Sequence, residues 1–139
     1  MKKIESFGVV PLIRQGDEWR VLLIVHREGN HWGFPKGRPN PGETPLDSAT
    51  RELKEETNLT IKELLHPTPF VEHYEFPRKR ERICKTVHYF PAVVEGDLKL
   101  QEAEIRGSKW CSFADAIKQL SFKEARHILH EIMRLLKVE

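Results

Sequence analysis

A glycine-rich loop followed by an acidic helix is the feature that most constrains this chain of 139 residues. The loop spans residues 37–43, and the acidic segment spans residues 51–56. Glu52, Glu55 and Glu56 are spaced i, i+3 and i+4, so they share one face of a helix. Like charges at this spacing repel by roughly 0.2–0.5 kcal/mol per pair. A cation would relieve that repulsion, and carboxylate oxygens suit Mg²⁺ or Mn²⁺.

An acidic helix face alone is also typical of a solvated surface. The loop ahead of it, with two glycines and two prolines, favours the cation site instead. The flanking residues predict a helix from about Pro45 to Thr57, with Thr44 as its N-cap. Asn58 follows the helix, where a left-handed backbone conformation is usual and Asn tolerates it. We expect the helix to direct its glutamates out to the site while burying Leu46, Ala49 and Leu53.

Strand-like runs surround this helix. They fall near residues 6–13, 19–25, 60–65, 70–76, 83–94 and 109–110. A long loop is predicted at residues 27–43, a short helix after Ser112, and a last helix opened by a capping box between Ser121 and Glu124. This order predicts an α/β domain with a mixed sheet, and residues 1–139 form a single domain in this interpretation.

The composition is that of an ordinary globular protein, with 39% hydrophobic and 32% charged residues and a net charge of +2. No apolar run approaches the roughly 20 residues of a membrane span, and the start lacks a signal peptide. Cys84 and Cys111 are too few for a disulfide framework, which predicts free thiols in a reducing compartment. We therefore expect a cytoplasmic monomer without a membrane partner.

The loop and helix resemble the Nudix box, the signature of a family of hydrolases of nucleoside diphosphate-linked compounds. That pattern is Gly, five residues, Glu, seven residues, then Arg-Glu-apolar-x-Glu-Glu-x-Gly-apolar. The chain departs from it only at Asn58, where the family has glycine, and matches it at Gly37, Glu43, Arg51, Glu52, Leu53, Glu55, Glu56 and Leu59. The resemblance implies a Nudix α/β/α sandwich and metal-dependent attack of water on a phosphoanhydride.

The resemblance also implies a catalytic metal site that holds Mg²⁺ or Mn²⁺. Glu52 and Glu56 would be the principal ligands, with Glu55 close to a further ion. The backbone carbonyl of Lys36, just before the first box glycine Gly37, would be another ligand.

Residues outside this set complete the expected machinery. Glu43 and Arg51 would pair and hold the loop to the helix. Nudix enzymes often draw another carboxylate from a later loop, and we assign this role, as metal ligand or general base, to Glu104. Glu102 is the alternative, and both could be ordinary loop acids.

Residues 31–37 resemble the corresponding segment of the diadenosine tetraphosphate hydrolases that cleave asymmetrically. That branch holds phosphates with a His and lysines and stacks an adenine between aromatic rings. Carried over, these roles would fall to His31, Lys36, Tyr74, Lys85, Tyr89 and Phe122. Each has a plainer alternative, since surface cations, sheet aromatics and a core phenylalanine are common.

The resulting hypothesis is a hydrolase that converts diadenosine tetraphosphate, a small dinucleoside polyphosphate, to ATP and AMP. The alternatives are an RNA 5′-pyrophosphohydrolase, a hydrolase of nucleoside triphosphates or inositol pyrophosphates, and a nucleotide-binding module without catalysis. The basic residues 78–80 could contact an RNA 5′ end, although a solvated hairpin tip explains them equally well. The intact box carboxylates disfavour the module.

Overall fold

The computed structural model describes residues 1–138. Its strands are β1 (Lys2–Gln15), β2 (Glu18–His26), β3 (His31–Gly33), β4 (Lys36–Gly37), β5 (Thr60–Leu64), β6 (Phe70–Arg78), β7 (Glu81–Glu95) and β8 (Ile105–Cys111). Its helices are α1 (Pro45–Thr57), α2 (Phe113–Gln119) and α3 (Lys123–Leu135). The predicted order is confirmed, but β3 and β4 lie in the segment expected to be a loop.

All eight strands belong to one mixed sheet. Its main path runs β3-β2-β1-β7-β5, while β4 pairs with β1, β6 with β7 and β8 with β2. Only the pairing of β1 with β7 is parallel. Strand β1 is central because it pairs with β7 along one edge, and with β4 and then β2 along the other.

Helices cover both faces of the sheet, so the predicted α/β/α sandwich is confirmed. Successive residues of a strand point to opposite faces, and both sets are buried in β1 and β2. One core joins α1 to the sheet through Ala49, Leu53, Val9 and Leu22. The other joins α2 and α3 to the opposite face through Ala116, Ile128, Leu129, Val10 and Leu23.

Helix α1 begins and ends as the sequence predicts. The Thr44 side chain accepts a hydrogen bond from the Asp47 N–H at 3.1 Å, and Pro45 occupies the first turn. Asn58 adopts the left-handed conformation with φ of 68°. The Asn58 N–H donates to the Lys54 carbonyl at 2.9 Å. The substitution of Asn for the family's glycine therefore preserves the helix end.

The capping box predicted for α3 is wrong. The N-cap residue is Phe122, which makes no side-chain cap, and the Ser121 hydroxyl instead accepts from the Trp32 N–H at 2.8 Å. The Trp32 carbonyl also accepts from the Ser121 N–H at 3.3 Å. Ser121 lies one residue too early to cap the helix, and it ties the start of α3 to β3.

Within residues 1–138, no helix combines the length and the apolar character needed to cross a membrane. Cys84 and Cys111 are both free, as predicted.

Candidate active site

An arginine cluster joins the box loop to the box helix. The Arg51 Nε donates to Glu43 at 2.8 Å, and its Nη2 donates to the Arg38 carbonyl at 2.8 Å. Glu43 also accepts from the Asn40 N–H and the Ser48 hydroxyl. The hydrogen bond from Arg51 is the main reason that the pKa of Glu43 falls to about 2. Glu43 thus stays ionised and fixes the loop against the helix.

Two of the three box glutamates are buried, which corrects the expectation that all three face outward. Glu52 is 9% exposed and Glu56 only 3%, whereas Glu55 is exposed. The short strand β4 covers them, because the Lys36 N–H donates to Glu56 Oε1 at 3.0 Å. Spacing along a helix could not reveal this cover, which comes from the loop folding back.

Burial changes the ionisation of these carboxyl groups. Desolvation, followed by the charge of Glu52, raises the pKa of Glu56 to about 8. Desolvation also raises the pKa of Glu52, although the hydrogen bond from Arg51 opposes the rise. Because the fold desolvates two neighbouring carboxylates, binding of a cation between or beside them would be strongly favoured.

This arrangement requires a glycine at position 37. A Cβ atom at this position would overlap the carboxyl group of Glu52. Any larger residue would therefore push that carboxyl out of its place under the loop. The first glycine of the box is explained by close approach, since its φ is not in the left-handed region.

The box carboxylates are not drawn together as tightly as a metal-bound cluster. Within residues 1–138, no three of the box carboxylates have oxygen atoms that all lie within 4.8 Å of one another. Arg51 bridges two of them, because its Nη1 donates to Glu52 at 2.9 Å and to Glu55 at 3.1 Å. Oxygen donors of this type suit a hard divalent cation.

The loop before β8 docks on the end of α1 and brings Glu104 to the site. The Lys99 N–H donates to the Thr57 carbonyl at 2.9 Å, and the Gln101 N–H donates to the Glu56 carbonyl at 3.1 Å. The exposed Glu104 carboxylate raises the pKa of both Glu52 and Glu56, so it lies within electrostatic reach of them. Glu102 is not among the main causes of the shift in either group, so the electrostatics favour Glu104 over it.

A cleft of about 500 Å³ lies on the face of the sheet that carries α3. It collects segments that are far apart in the chain, from β3, β6, β7 and the start of α3. The six substrate-binding candidates all line it: His31, Lys36, Tyr74, Lys85, Tyr89 and Phe122. The structure therefore brings together the whole set that the sequence proposed.

Two lysines supply the positive charge of the cleft, which is also lined by four glutamates, Glu28, Glu72, Glu75 and Glu124. Burial, followed by the neighbouring charge of Lys36, lowers the pKa of Lys85 to about 8. Burial and both lysines lower the pKa of His31, so its imidazole is neutral at neutral pH. His31 would act as a neutral hydrogen-bonding group, and the lysines would attract a polyanion.

The aromatic residues of the cleft differ in exposure. Phe122 is 52% exposed and stands 5.0 Å from His31 between ring centroids, so it is not a core anchor. Tyr74 is half-buried and stacks with Phe76. Tyr89 is 2% exposed and packs edge-on against Phe34. Tyr89 therefore forms the floor of the cleft, while Phe122 and Tyr74 have faces that a ligand can reach.

Sequence reasoning missed Glu72 and His26, which also line the cleft. Burial raises the pKa of Glu72 to about 7, and its carboxyl is hydrogen-bonded by Tyr89. The signal for Glu72 was present, because it lies two residues before Tyr74 on the same strand face. The His26 Nε2 lies 3.0 Å from the Phe34 carbonyl, and no spacing pattern pointed to it.

The box geometry agrees with the comparison of the whole chain with known families. The protein-family model described as NUDIX domain matches residues 2–134. The chain belongs to the Nudix family. As a Nudix enzyme, it is a phosphoanhydride hydrolase that acts on nucleoside polyphosphates.

Individual relatives of this Nudix enzyme divide between two activities. It is 36% identical over 123 residues to the bis(5′-nucleosyl)-tetraphosphatase (asymmetrical) of Caenorhabditis elegans, across 84% of this chain and 83% of the relative. It is 32% identical over 146 residues to an RNA pyrophosphohydrolase of Yersinia enterocolitica, across 93% and 80% of the two chains.

A solved structure agrees with this placement. The binary complex of the C. elegans Ap4A hydrolase aligns with a TM-score of 0.75 at 27% identity, over 96% of this chain and 98% of that one. The similarity thus covers the box and the cleft together, and the predicted fold of the Nudix enzyme is confirmed.

Proposed function

We propose that this Nudix enzyme hydrolyses diadenosine tetraphosphate to ATP and AMP. The observation that carries the proposal is the cleft, where two lysines and an exposed aromatic ring border one volume of about 500 Å³. A dinucleoside polyphosphate needs both features, because it combines a polyanionic chain with a flat base. The relative named bis(5′-nucleosyl)-tetraphosphatase supports the same substrate.

Nudix hydrolases generally use divalent metal ions, and we propose Mg²⁺, with Mn²⁺ as its substitute. The ligands would be Glu52, Glu56 and the Lys36 carbonyl, with Glu55 and Glu104 nearby. The fit rests on two desolvated carboxylates and on a glycine whose lack of a Cβ leaves room for one of them. Such a metal, when bound, acidifies a water molecule and screens the charge of phosphate oxygens.

The side chains around this centre would have distinct tasks. Arg51 holds Glu52 and Glu55 in place, and the Lys36 N–H holds Glu56. We assign to Glu104 the role of accepting the proton of the attacking water, because it is exposed yet within electrostatic reach of the buried pair.

The cleft would hold the substrate in two parts. The ammonium groups of Lys36 and Lys85 would neutralise phosphates, and His31 would donate a hydrogen bond to one of them. The rings of Phe122 and Tyr74 would stack on an adenine, an interaction worth roughly 1–3 kcal/mol per base. Tyr89 would support the cleft from below.

Product analysis tests this proposal. Purified full-length enzyme with Mg²⁺ is incubated in parallel with diadenosine tetraphosphate, with 5′-triphosphate RNA and with ATP, and the products are separated by ion-exchange chromatography. We expect equimolar ATP and AMP from the first substrate at the highest kcat/KM. Two molecules of ADP, or faster cleavage of either other substrate, would reject it. Nucleotide binding without turnover would instead favour a non-catalytic module.

RNA 5′-pyrophosphohydrolysis is the second candidate, supported by the Yersinia enterocolitica relative and by an exposed basic tip between β6 and β7. If RNA is the substrate, replacing Arg78, Lys79 and Arg80 with glutamine should lower RNA cleavage and its dependence on salt. The same variant should leave diadenosine tetraphosphate cleavage unchanged.

The proposal also retains a single-domain monomer in the cytoplasm. Light scattering on the purified chain measures the mass against the 16.3 kDa of one copy.

A further inference from the structure

A cluster of nitrogen, oxygen and sulfur donors lies outside the catalytic machinery, on the hairpin formed by β6 and β7. The donor atoms of His73, Glu75 and Cys84 all lie within 4.8 Å of one another. His73 and Glu75 are two residues apart on β6, so they share a face of the strand. Cys84 lies directly opposite Glu75 on β7. Glu72 and Tyr74 point to the other face of the strand, but Glu75 also borders the cleft, so the cluster lies at the edge of the cleft.

Each of the three side chains is held by a hydrogen bond. The Cys84 thiol donates to Glu75 Oε1 at 2.8 Å, and its Sγ lies 3.2 Å from the Met1 Sδ. The His73 Nδ1 lies 3.0 Å from the Thr86 hydroxyl oxygen. In the tautomer whose Nδ1–H donates to Thr86, the Nε2 atom has a free lone pair. Histidine ligands of metals usually have this arrangement.

The surroundings allow a small ion to enter. The cluster borders an open hollow of about 740 Å³, whose wall also includes Arg38 of the box loop. Cys84 itself is 6% exposed, while His73 and Glu75 are exposed. The arrangement therefore has a sheltered thiol at its base and two accessible ligands at its mouth.

We propose that His73, Glu75 and Cys84 form a Zn²⁺ site with an exchangeable water as fourth ligand. Imidazole, carboxylate and thiolate are the three ligand types that zinc accepts, in tetrahedral geometry. Tetrahedral bonds of 2.0–2.3 Å imply ligand separations of roughly 3.3–3.8 Å, so small side-chain rotations complete the site. Mg²⁺ takes oxygen ligands, so the two sites of this enzyme select different metals.

Zinc bound at this place would balance the charge of its ligands, and it would have to displace a proton. A thiolate and a carboxylate together neutralise the charge of Zn²⁺. The Arg82 Nε already donates to one oxygen of this carboxylate, Glu75 Oε2, at 3.3 Å, so zinc would be bound through Oε1. The hydrogen bond to Glu75 raises the pKa of the Cys84 thiol. Zinc takes the place of the thiol proton, and binding therefore releases that proton to the buffer.

Zinc affinity of the metal-free, full-length protein tests the site. Zn²⁺ is titrated against a chromophoric chelator in excess Mg²⁺, so that the box carboxylates are occupied. We expect one equivalent of zinc, and a loss of affinity of at least about tenfold in Cys84→Ser and in His73→Gln. His73 is exposed, so the second variant keeps the fold even if the first is unstable.

Two matched controls distinguish zinc bound at this cluster from zinc bound at the second thiol or at the box. Cys111→Ser removes the other cysteine, and Glu56→Gln disables the box, and both should bind zinc as the wild type does. Cobalt supplies a direct signature, because a thiolate-to-cobalt charge-transfer band should appear in the wild type and in Cys111→Ser but not in Cys84→Ser. Unchanged zinc affinity in both Cys84→Ser and His73→Gln overturns the proposal, as does loss of binding in Glu56→Gln.

Discussion

The box and the cleft are built in different ways. The box is local in sequence, since Arg51 and Glu43 are 8 residues apart and Lys36 and Glu56 are 20 apart. The cleft is assembled over long distances, and the hydrogen bond that sets Phe122 beside β3 joins residues 89 apart. Under the proposed function, the first region would carry the chemistry of the family and the second would carry the selection of substrate.

This difference has a physical consequence. Charged hydrogen bonds fix the position of each box side chain, so small errors in that position should damage turnover. The cleft would hold the proposed substrate by charge and by a partly exposed aromatic ring, so changes there should mainly alter KM. Substitutions in each region therefore test this difference.

The largest effect is expected for Glu56→Gln. Glu56 is a proposed principal metal ligand, and its removal should lower kcat by about a thousandfold, because metal stabilisation of the transition state is worth several kcal/mol. Glu63→Gln, an exposed change on β5, is the control and should leave kcat unchanged. A Glu56→Gln rate near that of the wild type would remove Glu56 from the metal site.

The same variant should separate turnover from stability. The fold raises the pKa of Glu56 from 4.5 to about 8. The folded state therefore favours the protonated form, and ionisation costs stability as pH rises from near 4.5 towards 8. An amide carries no such cost, so the metal-free variant should melt no lower than the wild type at pH 7, as measured by calorimetry.

Gly37→Ala should have the next largest effect. The added Cβ would overlap the Glu52 carboxyl, and displacement of a catalytic group by about 1 Å can cost roughly a hundredfold in rate. Gly107→Ala is the control, because its Cβ would meet only Val25 at 4.0 Å. Equal kcat values for the two variants would mean that the loop yields without moving Glu52.

Phe122→Ala should act on binding rather than on the chemical step. Loss of a stacking interaction of roughly 1–3 kcal/mol corresponds to a rise in KM of about 5- to 150-fold for diadenosine tetraphosphate. Leu98→Ala removes another exposed apolar side chain, which does not line the cleft, and should not change KM. A fall in kcat at constant KM would place Phe122 outside the base site.

The smallest effect concerns pH. Because the pKa of Lys85 is lowered to about 8, the free enzyme loses this positive charge above that pH and attracts a polyphosphate less. KM should therefore rise by at most about tenfold between pH 7 and pH 9. Lys85→Arg remains charged throughout and should show a flatter profile. Identical slopes in the two proteins would exclude Lys85 as the titrating group.

The sequence predicted the box well because its signals are local. Thr44, Pro45 and Asn58 set the bounds of α1 through hydrogen-bonding and backbone preferences that neighbouring residues do not override. The alternation of β7 also placed Lys85 and Tyr89 on one face correctly.

The remainder depended on tertiary contacts. The burial of Glu56 comes from β4, a strand of two residues, which is too short to show any periodicity. Ser121 fits a capping-box pattern, yet a partner far away in the chain uses its hydroxyl. Glu72 was missed although its strand phase was available, because a glutamate on a half-exposed strand is usually solvated.

The docking of the loop before β8 on the end of α1 has a dynamic consequence. The amide protons of Lys99 and Gln101 are bonded to the last carbonyls of the helix. They can exchange with solvent only when this junction opens locally. That same opening would carry Glu104 away from Glu56. The rate of hydrogen exchange at Lys99 and Gln101 would therefore report how long the Glu104 carboxylate stays beside Glu56.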